Sequence, residues 1–100
     1  MNGERDILNE LEGVVQSRKA TMPEDSYTTE LLKKGMPRIS GKIIEESLEV
    51  IQALNSEEAR KVNSEIADLL YHLTVGMVET GKGSWQEVLA ELEKRRDKSK

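Results

Sequence analysis

The chain has 100 residues, of which 15 are basic and 19 acidic, for a formal net charge of −4. It has no cysteine, which excludes disulfides and thiolate metal sites, and no apolar run as long as a signal peptide or a membrane span. The acidic balance, without a dense basic patch, argues against nucleic acid as a partner.

The remaining composition favours helices, because proline is scarce, phenylalanine is absent and good helix formers are common. We therefore expect one all-α domain over residues 1–100, in the cytoplasm and not associated with a membrane. A chain this short leaves much apolar surface uncovered, so we also expect obligate oligomerisation.

The first predicted helix runs from about Glu4 to Lys19, and its apolar residues recur at helical spacing. It ends in Arg18 and Lys19, where basic side chains suit a helix C-terminus. A helix-end charge effect and phosphate binding explain these two residues equally well.

A loop follows, and Asp25 or Ser26 then caps a short second helix that Gly35 ends. This helix carries Tyr27, Leu31 and Leu32.

Pro37 suits the first turn of a third helix, which runs to about Leu54. The fourth helix runs from about Glu57 to Thr80 and is ended by Gly81. The short turn between them predicts an antiparallel hairpin. Gly41, inside the third helix, is explained equally well by a close backbone approach or by simple tolerance.

Ser84 and Glu87 have the spacing of a capping box and predict the start of the fifth helix. That helix continues through Val88 and Leu92 and frays into a solvated charged tail from Lys94 to Lys100.

Each helix of the hairpin carries two carboxylates one turn apart: Glu46 and Glu49 on the third, and Glu65 and Asp68 on the fourth. The hairpin could place the two pairs opposite each other. Four converging carboxylates would repel by roughly a few kcal/mol if partly desolvated. A hard cation such as Mg²⁺ or Mn²⁺ would offset that repulsion. The alternative is two solvated helix faces.

His72 is the only histidine and lies two turns after Glu65 on the same helix. One imidazole does not suffice for a His-based zinc site or for the repeated Glu-x-x-His pairs of a di-iron bundle. His72 either orients a carboxylate or a bound water of the metal site or is a hydrogen-bonded structural histidine, which general frequencies favour. Tyr71 is predicted to pack.

Several segments together resemble the phosphoribosyl-ATP pyrophosphatase family of the MazG-like all-α NTP pyrophosphatases. The resemblance covers roughly residues 6 to 96. It is carried by Arg18-Lys19, by the run PEDSYTTELL over residues 23–32, by Glu46-x-x-Glu49, by EIADLLYHL over residues 65–73 and by VLAELEKR over residues 88–95.

This resemblance implies a MazG-like helical bundle of about five helices, completed by homodimerisation, with sites near the dimer interface. It implies hydrolysis of phosphoribosyl-ATP to phosphoribosyl-AMP and pyrophosphate, the second step of histidine biosynthesis. Mg²⁺ or Mn²⁺, held by Glu46, Glu49, Glu65 and Asp68, would bind phosphate oxygens and lower the pKa of a bound water.

The other site residues follow from the same resemblance. Glu45 is the candidate proton acceptor for the water, or else only a partner of Lys42. Lys42 either pairs with a phosphate or neutralises the acidic cluster. The remaining candidates for substrate binding are Arg18, Lys19, Ser26, Tyr27 and Thr28, the last three at a helix N-terminus suited to phosphate or ribose, although a cap and a core tyrosine explain them equally well.

Two positions depart from the family pattern: Gly41 replaces a basic residue, and Ile44 replaces a glycine. Both changes bear on substrate fit rather than on the metal ligands. Two other functions stay open. One is a house-cleaning pyrophosphatase for non-standard nucleoside triphosphates, and the other is a non-enzymatic helical dimerisation module.

Overall fold

A computed structural model of the chain describes residues 6–56 and 58–96. The described residues form five α-helices and contain no β-strand, so the predicted all-α class is confirmed. The helices are α1 (Ile7–Thr21), α2 (Tyr27–Lys34), α3 (Met36–Leu54), α4 (Ala59–Thr80) and α5 (Trp85–Arg95).

Local caps fix several of these boundaries where the sequence places them. The Ser26 hydroxyl accepts a hydrogen bond from the Thr29 backbone N–H at 3.1 Å, and Ser84 accepts one from Glu87 at 3.2 Å. Gly81 ends α4 with a left-handed φ of 68°, a conformation that glycine adopts without steric cost. Each cap satisfies backbone groups that a helix end would leave unpaired.

Two helix starts differ from the prediction. In α1 the cap is Asp6, whose carboxylate accepts from the Asn9 N–H at 3.2 Å, so the helix begins at Ile7. The predicted start at Glu4 lies outside the described residues. The fourth helix begins at Ala59, and the predicted start at Glu57 also lies outside them, as does the end of the charged tail.

The core lies where α1, α2, α3 and α4 meet. Its buried members are Val15, Leu31, Leu32, Ile39 and Val75. Burying a side chain of this size stabilises the fold by about 1.5–3 kcal/mol. The α3–α4 hairpin makes the most extensive contact between helices, as the short turn predicts.

Gly76 lies where α4 packs against α3, and a side chain there would be in ordinary van der Waals contact with it. A Cβ at Gly76 would lie 3.6 Å from Ile39 Cγ2 and 3.7 Å from Ile43 Cδ1. At Gly41, by contrast, a Cβ would have no described atom within 4 Å. Within the part of the chain that the structure describes, simple tolerance is therefore favoured over close approach at Gly41.

The fifth helix is fastened to the others through Trp85. The buried indole N–H donates to the Thr74 hydroxyl at 2.7 Å, and the Trp85 backbone N–H donates to the Glu12 carboxylate at 2.9 Å. These bonds connect the start of α5 to α4 and α1.

One face of α3 leaves large apolar side chains uncovered. Ile44, Leu48 and Ile51 follow one another at helical spacing and are 63%, 56% and 53% exposed. The radius of gyration is 15.0 Å, against about 13 Å for a compact chain of this length. No described helix is both long enough and apolar enough to cross a membrane.

Candidate metal centre and active site

The α3–α4 hairpin brings together three of the four predicted metal ligands. Glu46, Glu49 and Glu65 each offer a carboxylate oxygen, and these oxygens lie within 4.8 Å of one another. We call these three residues the carboxylate cluster. Asp68 is exposed and lies outside this group, although it is near enough for its charge to act on Glu65.

Two oxygens of the carboxylate cluster lack a hydrogen-bond partner among the described residues. Glu46 is only 6% exposed, and its Oε1 and the Oε1 of Glu65 are both buried and unpaired. Leaving buried carboxylate oxygens unpaired is costly. Their donor chemistry, oxygen only, suits a hard cation such as Mg²⁺.

The same crowding changes how Glu65 binds a proton. A hydrogen bond with Glu49 raises the pKa of Glu65, and desolvation raises it further. The negative charges of Glu49, Asp68 and Glu46 act in the same direction. Without a cation, Glu65 therefore holds a proton more readily than an isolated carboxylate does.

Lys42 lies beside the carboxylate cluster and pairs with its neighbours on α3. Its Nζ donates to Glu45 Oε1 at 2.7 Å and lies 3.6 Å from Glu46 Oε2. The hydrogen bond to Glu45 raises the pKa of Lys42, and the same bond lowers the pKa of Glu45. Of the two interpretations of Lys42, these contacts match neutralisation of the neighbouring carboxylates.

His72 is 5% exposed and makes two hydrogen bonds. Its Nδ1 lies 2.8 Å from the Asp68 backbone oxygen, and its Nε2 lies 3.0 Å from the Tyr27 hydroxyl. Neither of these two bonds goes to a carboxylate. Of the two alternatives for His72, this geometry matches a hydrogen-bonded structural histidine. The bond to Tyr27 connects α2 to α4.

The side chains of the predicted substrate loop are largely engaged within the protein. Ser26 caps α2, and the buried Thr28 hydroxyl is hydrogen-bonded to the hydroxyl of Tyr71. The Tyr27 and Tyr71 rings stack with centroids 6.2 Å apart. Tyr27 is nonetheless 43% exposed, which leaves part of its side chain accessible to a ligand.

The two basic residues in the last turn of α1, Arg18 and Lys19, are not part of the carboxylate cluster. Lys19 Nζ donates to the Glu79 backbone oxygen at 3.0 Å and to its carboxylate at 3.2 Å. Glu79 follows Glu65 by almost four turns, about 20 Å along α4. Arg18 is near Tyr71, where its charge partly offsets the effect of burial, which raises the pKa of that hydroxyl.

Two long-range contacts had no counterpart in the sequence-based expectations. The Tyr27–His72 bond joins residues 45 positions apart, and the Trp85–Glu12 bond joins residues 73 apart. A single sequence carries no local signal for such pairs. The capping box at Ser84 places Trp85 at the start of a helix, but it does not indicate which residues Trp85 contacts.

The chain is similar to proteins of one enzyme family. The family model described as Phosphoribosyl-ATP pyrophosphohydrolase matches residues 8–96. The Phosphoribosyl-ATP pyrophosphatase of Metallosphaera sedula is 46% identical over 90 residues, which are 90% of this chain and 96% of that protein. That of Leptospira biflexa is likewise 46% identical over 90 residues, 97% of its length. The Histidine biosynthesis bifunctional protein HisIE of Thermotoga maritima is 46% identical over 87 residues, and the match spans 44% of its length.

Proposed function

The chain belongs to the phosphoribosyl-ATP pyrophosphohydrolase family, and we propose that its carboxylate cluster holds the Mg²⁺ ion used to hydrolyse phosphoribosyl-ATP. The enzyme class expected from the sequence, a hydrolase of a phosphoric anhydride in histidine biosynthesis, is confirmed by the family and by the names of the relatives. The metal, its ligands and the residue roles are our proposal.

One observation carries this proposal. The Oε1 atoms of Glu46 and Glu65 are buried without a hydrogen-bond partner, and Glu49 offers a third oxygen within 4.8 Å. An arrangement that leaves carboxylate oxygens unpaired is explained if a cation binds there. Asp68, one turn after Glu65, would be the fourth ligand or would act through its charge. Mn²⁺ has similar ligand preferences and should substitute.

When bound, Mg²⁺ supplies charge neutralisation for the phosphates and lowers the pKa of a coordinated water. The chemistry asks the protein mainly for positioning. Glu46 and Glu49 on α3 and Glu65 on α4 are held in place by the packed hairpin, so their spacing needs little reorganisation when substrate binds.

Lys42 and Glu45 form a pair that a substrate could separate. Lys42 lowers the pKa of Glu45, which favours the ionised form of that carboxylate. A substrate phosphate that attracts Lys42 would release Glu45 to accept the proton of the attacking water. We therefore propose Glu45 as the general base and Lys42 as the phosphate contact.

The remaining substrate contacts are proposed at different distances from the carboxylate cluster. Tyr27 lies near Lys42. The negative charge of an ionised Tyr27 is one of the causes that raise the pKa of Lys42. Ser26 and Thr28 would act through backbone N–H groups at the start of α2, since their hydroxyls are engaged. Lys19 is too far to contact phosphates at the cluster, so it and Arg18 would meet a more distant part of the substrate or the site of a partner protomer.

The proposed assembly is a homodimer located in the cytoplasm. The uncovered apolar face of α3 supports the dimer, because an exposed stripe of this kind is typical of an interaction surface. No role for nucleic acid is proposed.

The activity is tested by following pyrophosphate release from phosphoribosyl-ATP with and without Mg²⁺. We expect Mg²⁺-dependent turnover, with much higher kcat/KM for phosphoribosyl-ATP than for a panel of free nucleoside triphosphates. Preference for non-standard triphosphates would instead indicate a house-cleaning enzyme. Absence of turnover, together with no effect of Mg²⁺ on the melting temperature, would indicate a dimerisation module.

A further inference from the structure

Tyr27, His72 and the Asp68 backbone oxygen form a short chain of hydrogen bonds. His72 Nδ1 lies 2.8 Å from the Asp68 carbonyl oxygen, and Nε2 lies 3.0 Å from the Tyr27 hydroxyl. His72 is 5% exposed, so water does not compete freely for either nitrogen. Each nitrogen of this ring therefore has one defined protein partner.

The carbonyl decides the direction of both bonds. A carbonyl oxygen only accepts, so His72 Nδ1 must carry the proton that it donates to Asp68. In a neutral imidazole the other nitrogen is then an acceptor. In the neutral ring Nε2 consequently accepts, and the proton between it and Tyr27 belongs to the tyrosine.

This direction fixes what Tyr27 can offer a ligand. Its only O–H proton is used on His72, so its oxygen presents lone pairs alone. Ionised phosphate oxygens are also acceptors and cannot pair with it. The side chain is 43% exposed, so a donor from a bound molecule can reach it.

We infer that Tyr27 selects the substrate by accepting a hydrogen bond from a ribose hydroxyl, and that His72 is the positioning residue that holds it in this role. The inference rests on the proposed function, which supplies a substrate with ribose next to its phosphates. Phosphates held near Lys42 and the carboxylate cluster would place the attached sugar close to Tyr27.

The direction of the bonds can be measured without any substrate or variant. His72 is the only histidine, so the ¹⁵N spectrum of the imidazole contains one ring. Long-range ¹H–¹⁵N correlation at pH 8 should show Nδ1 protonated and Nε2 unprotonated. A ring with the proton on Nε2 would make Tyr27 the acceptor in this bond and would overturn the inference.

The ribose contact is tested with Tyr27→Phe and with substrate analogues that each lack one ribose hydroxyl. Tyr27→Phe should raise KM by about two- to tenfold, the range for one neutral hydrogen bond, and leave kcat close to that of the wild type. One analogue should raise KM similarly in the wild type and show no further rise with Tyr27→Phe. If the variant raises KM by the same factor for the natural substrate and for every analogue, Tyr27 does not contact a ribose hydroxyl.

The positioning role of His72 is tested with His72→Asn, whose amide can still donate to Asp68 but cannot reach Tyr27. Its effect on KM should equal that of Tyr27→Phe, and the double variant should be no worse than either single variant. Additive effects would show that His72 does not act through Tyr27.

Tyr71→Phe is the matched control, because it removes a hydroxyl from a neighbouring tyrosine ring. That hydroxyl is bonded to Thr28 and not to His72. It should lower the melting temperature without changing the ratio of KM values between natural substrate and analogues. If Tyr71→Phe changes that ratio as Tyr27→Phe does, the effect belongs to ring packing and the inference fails. If the wild type turns over substrate but Tyr27→Phe leaves the ratios of KM between natural substrate and analogues unchanged, only the role of Tyr27 is overturned. Absence of turnover in the wild type would overturn the proposed function.

Discussion

Glu45 and Glu65 are chemically identical side chains whose neighbours move their proton affinity in opposite directions. The hydrogen bond from Lys42 lowers the pKa of Glu45, whereas the shared hydrogen bond with Glu49 raises the pKa of Glu65. The first carboxylate is stabilised as an anion by the protein itself. The second is less stable as an anion than an isolated carboxylate, and a positive charge at the carboxylate cluster would stabilise its ionised form.

Glu65→Gln tests this difference at one residue. The amide keeps the size of the side chain, removes one negative charge and can donate to Glu49, so the metal-free protein should melt at the same or a higher temperature. Mg²⁺-dependent pyrophosphate release should be lost with it. Glu93→Gln, an exposed change on α5, serves as the control and should alter neither measurement. Normal turnover by Glu65→Gln at limiting Mg²⁺ would rule out Glu65 as a ligand.

The raised pKa of Glu65 also predicts how stability depends on pH. Because its pKa is higher in the folded than in the unfolded state, its contribution is fully present below the ordinary carboxyl pKa, near 4.5, and is lost as pH rises through the raised value. Glu45, with a lowered pKa, has the opposite dependence. The melting temperature of metal-free wild type minus that of Glu65→Gln should therefore fall as pH rises from about 4 to 7, and saturating Mg²⁺ should reduce the fall. A flat difference would contradict the pKa shift.

At the scale of the helices, the sequence predicts ends better than contacts. Ser26, Gly81 and Ser84 act on backbone groups within a few residues, so their caps are visible in the sequence. Glu65 and Asp68 share a helix face by periodicity. How closely Asp68 approaches α3 depends on the angle and rotation of the two helices, and side-chain spacing along one chain does not determine these.

The attachment of α5 is the clearest contact that the sequence could not reveal. Trp85→Phe should destabilise the protein by about 1–2 kcal/mol, because the indole N–H bond to Thr74 and some packing are lost. Thr74→Val removes the acceptor of the same bond, and chemical denaturation should show that the two changes are less than additive. Fully additive losses would mean that the two residues are not coupled through this bond.

At the scale of the whole molecule, the chain leaves part of its apolar surface uncovered. Ile44, Leu48 and Ile51 stay more than half exposed, and the chain is less compact than is usual for its length. A second protomer packed on this face would cover the stripe. Ile44, where the family resemblance implies a glycine, adds apolar area to the same face.

Leu48→Glu tests the proposed dimer. A charge at the centre of an apolar interface is costly to bury, so the variant should dissociate or unfold, while the wild type should scatter light as a dimer at micromolar concentration. The melting temperature of the wild type should also rise with protein concentration. Gln86→Glu, which adds the same charge on the exposed surface of α5, should remain a dimer. A wild-type monomer would contradict the proposal, and a dimeric Leu48→Glu would place the interface elsewhere.

We propose that the carboxylate cluster between α3 and α4 binds the catalytic metal. Anomalous diffraction from crystals soaked in Mn²⁺ tests it most directly, because the ion is located without reference to activity. We predict a peak between the two helices, at roughly 2 Å from oxygens of Glu46, Glu49 and Glu65. A peak bound only elsewhere in the protein, or no peak at this position in crystals that contain bound phosphoribosyl-ATP, would contradict the account.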